Sequence, residues 1–303
     1  MKRVVNFHSF FGLLILFLVI ASCQTTKSST TSKMLKFDFE KGRGYDYEMI
    51  LNMDQEVMGQ KIKMDLTSYY SMDVTGDDGQ NKTISTTYDR FKMSMGLGGM
   101  DIEVDSDEPF PNFGKDDKKE DMQMINRFMG AIKGRKFSMK VNPEGKILEI
   151  SGFKGMAESI ADSLGLGDEQ REEVIKKFDE RFNEESVKDQ FERFWYIFPN
   201  KEVKVGDSWE KSSTATGMAA GKYQSKYTVK EIEGDMVILE EDTKIEGSQD
   251  KVDINGKVKG TIVIDSKSGL VVSANQDLTI TASGNGMSFD IIGKTKIKGK
   301  ARN

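Results

Sequence analysis

Residues 61–95 read KIKMDLTSYYSMDVTGDDGQNKTISTTYDRFKMSM. Apolar side chains recur at every second position in runs before and after Gly76-Asp77-Asp78-Gly79, and a period of two is typical of half-buried β-strands. The tetrapeptide supplies the turn of a β-hairpin. After the turn the apolar positions change from even numbers, as at Tyr88, to odd numbers, as at Phe91, which predicts a β-bulge near Asp89 or Arg90. The segment therefore predicts a long antiparallel hairpin with one apolar face.

This alternation continues outward from the hairpin toward both ends of the chain. It runs through residues 35–53 on one side, and on the other it resumes at residue 222 and persists to residue 291. Turn sequences interrupt the second run at Gly234-Asp235, at residues 266–269 and at Gly284-Asn285-Gly286. Because short turns join strands that are apolar on one face only, residues 35–105 and 201–303 each predict antiparallel strands with one covered face.

The middle of the chain, residues 106–200, is mainly helical, because its apolar residues recur with a period near 3.6. Four amphipathic helices are predicted, and each needs a surface on which to bury its apolar side. The first opens at Asp117, the second carries apolar residues from Phe153 to Leu164, the third opens at Asp168 and the fourth opens at Ser186. One hairpin interrupts them, with alternating strands on both sides of the turn Asn142-Pro143-Glu144-Gly145.

The start of the chain differs from the rest in composition. Lys2 and Arg3 precede an apolar run, residues 10–20, that is short for a membrane-spanning helix. Residues 1–22 are therefore predicted to be a secretory signal peptide. The alternative is an uncleaved signal anchor with a buried thiol at Cys23.

The apolar run ends in Ile20-Ala21-Ser22-Cys23, which resembles the bacterial lipobox. This resemblance implies cleavage after Ser22 and lipidation of Cys23 with acyl chains, palmitate among them. Two or three such chains hold a protein stably on a membrane. Gln24 stands where inner-membrane lipoproteins often carry Asp, so the expected location is the outer membrane, facing the periplasm. Residues 23–34 are rich in Ser and Thr and are predicted to be a lipidated, flexible tether.

Together these patterns predict a single α+β domain, residues 35–303, with a curved antiparallel β-sheet, a half-barrel-like meander, packed against a central block of amphipathic helices. The segment GTIVIDSKSGLVVSANQDL, residues 260–278, resembles the strand-turn-strand signature of half-barrel proteins such as periplasmic lipoprotein carriers. With the lipobox and PNKEVKVGDSW at residues 199–209, the whole chain also resembles an uncharacterised family of Bacteroidota lipoproteins. That second resemblance implies no active site.

Composition restricts the chemistry of the processed chain. The only histidine, His8, lies in the predicted signal peptide, and the only cysteine, Cys23, is the predicted lipidation site. Their loss excludes histidine general bases, cysteine nucleophiles and the usual nitrogen or sulfur sites for zinc, copper or haem. Removing Lys2 and Arg3 leaves 42 basic and 49 acidic residues, a net charge of −7 that argues against nucleic acid as a partner. We therefore predict that the protein is not an enzyme and that it carries no cofactor.

Three short motifs are weighed against that conclusion. Gly206-Asp207-Ser208 matches an esterase nucleophile block, but the block needs a histidine base, so a turn entering a strand is the preferred interpretation. Ser151-Gly152-Phe153-Lys154 fits a histidine-free serine mechanism, and Ser151 as a helix cap is the alternative. Lys267-Ser268-Gly269 resembles an element of penicillin-binding enzymes, although it falls in a predicted tight turn.

Two charged segments have simple structural interpretations. Asp105-Ser106-Asp107-Glu108 predicts a solvated loop, with a calcium site as the alternative. The last strand places four lysines on one face, at Lys294, Lys296, Lys298 and Lys300. They are predicted to protect a sheet edge, and a basic stripe facing lipid head groups is the alternative.

Methionine is the remaining signal, since 17 of the 18 methionines follow the predicted signal peptide. Those up to Met156 mostly share the apolar faces of strands and helices with Phe and Tyr. They form either an ordinary core or a deformable pocket between sheet and helices. The leading hypothesis is a non-catalytic binding or accessory module for an apolar ligand such as a lipid. The alternatives are a structural or protein-interaction component of the cell envelope and a histidine-independent hydrolase.

Overall fold

The computed structural model describes residues 31–57, 60–97, 100–108, 130–153, 155–165, 167–181, 183–215, 221–249, 252–284 and 287–302. The predicted signal peptide, the lipidation site Cys23 and residues 117–129 of the predicted first helix lie outside these residues, whereas residues 130–132 of that helix are described, helical and include the buried Ile132. In the part of the chain that is described, no helix combines the length and apolar character needed to cross a membrane.

The described residues form fourteen strands and three helices of eight or more residues, and residues 130–132 are helical as well. The N-terminal strands are β1 (Lys33–Leu35), β2 (Gly44–Val57), β3 (Gln60–Asp77), β4 (Lys82–Leu97) and β5 (Met100–Asp105). The middle of the chain forms β6 (Lys136–Val141), β7 (Ile147–Ser151), α1 (Met156–Ser163), α2 (Asp168–Arg181) and α3 (Glu184–Trp195). The C-terminal strands are β8 (Lys201–Val203), β9 (Ser208–Ala215), β10 (Gly221–Glu233), β11 (Met236–Gln249), β12 (Val252–Asp265), β13 (Leu270–Gly284) and β14 (Met287–Ala301).

One large antiparallel sheet dominates the structure. Its strands lie in the order β7-β6-β4-β3-β2-β14-β13-β12-β11-β10-β9, and β5 pairs with β4 in addition. Among the described strands the sheet does not close on itself, and β7 and β9 are its edges. The α+β prediction is therefore correct for the sheet and overstates the helical block, because the predicted hairpin of the middle region joins the sheet as β6 and β7.

The central hairpin matches its sequence pattern. β3 and β4 pair over most of their length, and the register shifts where Tyr69 pairs with Arg90 and Tyr70 pairs with Tyr88. Asp89 is the extra residue, so the predicted bulge is confirmed. In the turn, the Asp78 carboxylate accepts hydrogen bonds from the backbone N–H groups of the two residues that follow Gly79.

Two predictions about the ends of the described chain are wrong. Lys33 and Met34 were expected in the tether, but they belong to β1, because their backbone pairs with β8. The last strand, β14, was expected at an edge, but it lies between β13 and β2 and joins the N-terminal and C-terminal strands into one sheet.

The lysines of β14 therefore lie on a sheet face and do not protect an edge. Lys298 Nζ lies 2.8 Å from a Glu48 carboxylate oxygen and Lys300 Nζ lies 3.4 Å from an Asp46 carboxylate oxygen, both across the β14–β2 pair. Cross-strand charge pairing of this kind stabilises the register between neighbouring strands. It also partly neutralises the basic stripe that was considered for lipid head groups.

Helix α3 packs on one face of the sheet, called the inner face below. Phe191 lies 5.5 Å from Tyr70 between ring centroids, and Trp195 lies 5.1 Å from Phe37. The aromatic core is the set of buried rings around this contact: Phe37, Phe39, Tyr45, Tyr47, Tyr70, Phe137, Phe191 and Trp195. Burying rings of this size contributes a large share of the stability of a domain.

Both ends of α3 are fixed by local sequence. The helix begins at Glu184, two residues before the predicted Ser186, because the Asn183 side chain accepts a hydrogen bond from the Ser186 backbone and caps the helix. At the other end, the turn between β6 and β7 packs on the last helical turn. A Cβ added at Gly145, where φ is +82°, would lie 1.5 Å from the Trp195 carbonyl oxygen. This close approach sets the position of α3 above the sheet.

Candidate ligand-binding site

An elongated, mostly apolar cleft, called the apolar cleft below, lies between α3 and the inner face. Its volume is about 390 Å³. From the sheet it is lined by Met49, Ile50, Leu51, Met53, Gln55, Met64, Leu66, Ser68, Leu278, Ile280, Ile291 and Thr295. From α3 it is lined by Ser186, Asp189, Gln190, Arg193 and Phe194. The methionines of the N-terminal strands thus contribute to a cavity wall, as the pocket hypothesis required.

The sequence of α3 explains why a cleft forms beside the aromatic core. Val187, Phe191 and Trp195 are spaced by four residues and are buried on one side of the helix. Arg193 and Phe194 lie on a neighbouring side and reach the cleft. This second side is mostly polar, so it covers the apolar strands without filling the space above them.

A smaller cavity of about 90 Å³, called the polar chamber below, adjoins the apolar cleft. The two cavities share four lining residues: Arg193, Phe194, Leu278 and Thr295. Away from this junction the chamber lining includes a cluster of polar side chains, among them Ser213, Ser225, Glu241, Thr243 and Gln276. At Arg193 the apolar cleft therefore adjoins a cavity that carries buried polar groups.

Glu241 is the buried centre of the polar chamber, with only 5% of its surface exposed. Its carboxylate lies 2.5 Å from Gln276 Nε2, which donates a hydrogen bond, and 2.8 Å from Thr243 Oγ1. Thr243 Oγ1 also lies 2.8 Å from Ser225 Oγ, so the polar groups form a chain across three strands. Hydrogen bonding of this kind offsets the cost of burying polar side chains.

Gly260 makes the contact between Gln276 and Glu241 possible. In the sheet register Gly260 lies opposite Glu241 on one side and opposite Gln276 on the other. A Cβ at this position would lie 2.7 Å from Gln276 Cγ, which is closer than side chains approach one another. Because glycine has no side chain, Gln276 reaches across β12 to the carboxylate.

Burial controls the electrostatics of the chamber. Loss of water raises the pKa of Glu241 above its ordinary value of 4.5, although the hydrogen bonds from Gln276 and Thr243 act in the opposite direction. Burial also raises the pKa of the neighbouring Tyr227, and the charge of Glu241 adds to that effect. Glu241 is therefore protonated more easily than an exposed glutamate.

Arg193 is the cation at the junction of the two cavities. Its guanidinium carbon lies 5.0 Å from the centre of the Tyr223 ring, a cation–π contact. Its Nε is buried and has no hydrogen-bond partner among the described residues. Lys211 also lines the chamber, but its ammonium group pairs with the Glu144 carboxylate.

The serine motifs from the sequence lie in connections outside these cavities. In Gly206-Asp207-Ser208, Asp207 accepts a hydrogen bond from the Lys204 backbone and Ser208 begins β9, so the predicted turn is confirmed. In Lys267-Ser268-Gly269, the Asp265 carboxylate accepts hydrogen bonds from the Lys267 backbone and the Ser268 hydroxyl in the turn between β12 and β13.

The Ser151 motif is split by the limits of the described chain. Ser151 is the last residue of β7 and is exposed, whereas its predicted partner Lys154 lies outside the described residues. The alternative role of Ser151 as a helix cap is wrong. Helix α1 begins at Met156, and its N-cap residue is Gly155, whose φ is +75°.

The acidic segment at Asp105 is engaged in ion pairs. Two hydrogen bonds of 2.9 and 2.6 Å join Arg90 to the Asp105 carboxylate, and this guanidinium lowers the pKa of Asp105 to about 2. Asp107 lies 2.6 Å from Lys133 Nζ. Within the described ranges, no group of three or more His, Cys, Asp or Glu side chains is arranged to hold a metal ion.

One feature of the β11 sequence indicates this site. On β11 the buried positions are Val237, Leu239, Glu241, Thr243 and Ile245. Glu241 and Thr243 thus occupy positions at which the alternation of the strand would place apolar residues. Polar residues on a buried face require hydrogen-bond partners or a ligand, so this interruption indicates the polar chamber.

One family and several solved structures match the chain. The profile of a "Family of unknown function (DUF6263)" matches residues 79–271. This interval includes α3 together with β10, β11 and β12, and hence Arg193 and Glu241. No curated protein matches the chain.

The structural matches are distant. A structure of lipovitellin, titled for its lipid–protein interactions, superposes with a TM-score of 0.49 and 10% identity over 88% of this chain and 26% of that chain. This chain therefore spans about a quarter of lipovitellin. The translocator domain of autotransporter NalP from Neisseria meningitidis gives a TM-score of 0.23 at 6% identity, covering 84% of this chain and 87% of that one. The β domain of the Bordetella autotransporter BrkA gives 0.28 at 6% identity, covering 84% and 98%. Likenesses at these TM-scores carry no argument about function.

Proposed function

The chain belongs to the DUF6263 family of unknown function, and we propose that it is a membrane-anchored binding module that holds an apolar ligand such as a lipid in the apolar cleft. The cleft is the observation that carries the proposal. Its volume of about 390 Å³ falls within the range of roughly 300–1,000 Å³ that is usual for small-molecule sites. Methionine side chains suit such a wall, because they are unbranched and adapt to ligands of different shape.

The proposed module is lipidated at Cys23 and lies on the periplasmic side of a bacterial outer membrane. The lipobox-like sequence Ile20-Ala21-Ser22-Cys23 supports this location. Its role is non-catalytic. Two observations support that role: the processed chain would lack histidine and a free thiol, and neither Ser208 nor Ser268 is among the residues that line the cleft.

Mass spectrometry of the protein purified from its own membrane tests the proposal. We expect a chain that begins at an acylated Cys23 and that carries a measurable amount of co-purified lipid. Leu66→Arg places a charge in the apolar wall and should remove most of the lipid, because an unpaired buried charge opposes an apolar ligand. Thr67→Arg is the matched control, since Thr67 follows Leu66 on β3 and points to the opposite face.

The possible outcomes separate the parts of the proposal. A chain that still starts with its initiator methionine and has an unmodified thiol would overturn the anchor and the location. A processed chain without lipid, or lipid retained equally by both arginine variants, would overturn binding in the cleft. An envelope protein that acts through a protein partner would then be the better interpretation.

A further inference from the structure

We propose that the ligand of the apolar cleft is a single-chain fatty acid whose carboxylate is bound by Arg193. This inference rests on the proposed function and names the chemistry of the ligand. It follows from the change of polarity at the junction between the apolar cleft and the polar chamber, where Arg193 lines both cavities.

The cation at the junction is suited to a carboxylate. A guanidinium presents planar N–H donors that match the two oxygens of a carboxylate. The Arg193 guanidinium carbon lies over the Tyr223 ring, 5.0 Å from its centre, and this cation–π contact uses none of the N–H donors in a hydrogen bond. The buried Nε of Arg193 lacks a hydrogen-bond partner among the described residues, so the hydrogen-bonding capacity of this guanidinium is not fully used within the described protein.

The second cation of the chamber is less suitable. Lys211 is paired with Glu144 and lies 4.4 Å from the centre of the Tyr196 ring. It lines only the polar chamber, whereas Arg193 also lines the cleft that would hold the acyl chain. Because Arg193 lies at the end of the apolar wall, we assign the binding of the ligand head group to Arg193.

The size of the apolar cleft fits one acyl chain. Its volume of about 390 Å³ lies near the lower end of the range of roughly 300–1,000 Å³ that is usual for small-molecule sites. A ligand with one medium-length chain, such as dodecanoic acid, is therefore the probe chosen for the test.

Glu241, Glu192 and Asp189 are the acids that line the two cavities, and Glu192 accepts a hydrogen bond from the Ile147 backbone. Glu241 accepts hydrogen bonds from Gln276 and Thr243, and burial raises its pKa above the ordinary value. Asp189 lies one helical turn before Arg193 on α3 and also lines the cleft. The ligand carboxylate is thus expected at Arg193, the cation that lines both cavities.

A pair of ligands that differ only in the head group tests the inference. Dodecanoic acid and dodecanol are titrated against the whole processed protein, and binding is followed by displacement of the neutral dye N-phenylnaphthylamine. At neutral pH the wild-type protein should bind the acid at least about tenfold more tightly than the alcohol, because a charge-assisted hydrogen bond contributes that much.

Variants at Arg193 and a matched arginine identify the group responsible. Arg193→Met should remove the preference for the acid and leave dodecanol binding nearly unchanged. Arg193→Lys should keep part of the preference, because it keeps the charge and loses the planar fork. Arg171→Met is the control, since Arg171 pairs with Asp162 and lies on α2, outside the residues that line either cavity.

The possible binding results distinguish failure of the role of Arg193 from failure of the proposed function. Equal affinity of the wild-type protein for acid and alcohol would overturn the role of Arg193 and leave the proposed function standing. A preference that survives in Arg193→Met would do the same. Absence of binding of the dye and of both ligands would overturn the proposed function itself. The wild-type comparison does not depend on whether any variant folds.

Discussion

The aromatic core and the apolar cleft lie on the same face of the same strands, yet one is sealed and the other is open. On β2, Tyr45 and Tyr47 are 1% and 5% exposed, whereas Leu51 and Met53 farther along the strand are only partly buried. On β3, Met72 is 1% exposed and Met64 is partly buried. The alternation of apolar residues is the same at both ends of these strands.

Element length explains the difference. A strand of 18 residues such as β3 is about 60 Å long, at about 3.3 Å per residue. A helix of 12 residues such as α3 is about 18 Å long, at about 1.5 Å per residue. One helix therefore covers only part of each long strand. The comparison shows that alternation predicts which side chains share a face, whereas the covering element decides whether that face becomes core or binding site.

The largest contrast is expected between two adjacent aromatic residues of α3. Trp195, 2% exposed, packs in the aromatic core, and Phe194 lines the apolar cleft. Trp195→Ala should lower the free energy of unfolding by about 3–5 kcal/mol, because it leaves a cavity among rings that cannot collapse. Phe194→Ala should cost about 1–2 kcal/mol and weaken ligand binding. Urea unfolding of both variants measures the difference. Equal losses would show that the cleft is as tightly packed as the core.

Two methionines on β3 give a second contrast with one substitution. Met64 and Met72 point to the same face, eight residues apart. Met72→Ala should lower the free energy of unfolding by about 2–5 kcal/mol and leave dye binding unchanged in the folded protein. Met64→Ala should cost about 1 kcal/mol and weaken binding of N-phenylnaphthylamine several-fold. Stability losses in the reverse order would contradict the division of the sheet into a sealed part and an open part.

Much of the fold follows from local patterns in the sequence. The period of two identified the strands of the central hairpin, the shift from Tyr88 to Phe91 identified its bulge, and the period of 3.6 identified the three described helices. The expected family, one without an assigned function, is also confirmed. These features depend on neighbouring residues, so a single sequence contains them.

The position of β14 did not follow from local patterns. Its lysines indicated an edge, but the strand pairs with β2, more than 230 residues earlier in the chain. Pairing between such distant strands depends on complementary partners such as Lys298 and Glu48, and a single sequence does not state which segments meet.

Only the general type of the candidate site, an apolar pocket between sheet and helices, could be predicted from the sequence. Met-rich apolar faces indicated a pocket between sheet and helices, and the structure has a cleft there. The polar chamber was missed, because Glu241, Gly260 and Gln276 come together only through the register of β11, β12 and β13. The periodicity of a single strand does not reveal a hydrogen bond such as the one from Gln276 on β13 to Glu241 on β11, which crosses β12.

The smallest expected effect concerns Glu241, which is buried and lines the polar chamber. Its pKa in the folded protein is raised above the ordinary value of 4.5 by loss of water. Folding therefore favours the protonated form, so the stabilising contribution is complete below pH 4.5 and is lost as the pH rises through the pKa of the folded state. Glu241→Gln cannot ionise, and its stability relative to the wild type should accordingly increase from about pH 4 to about pH 8.

Urea unfolding at several pH values measures this trend for Glu241→Gln and for a matched variant of the neighbouring residue. Glu240→Gln removes one carboxylate from the exposed face of β11, where Glu240 lies 3.0 Å from Lys230 Nζ. The difference between the two variants isolates the effect of burial from the effect of net charge. If Glu241→Gln loses stability relative to the wild type as the pH rises, Glu241 is stabilised as an anion, and the hydrogen bonds from Gln276 and Thr243 then outweigh its desolvation.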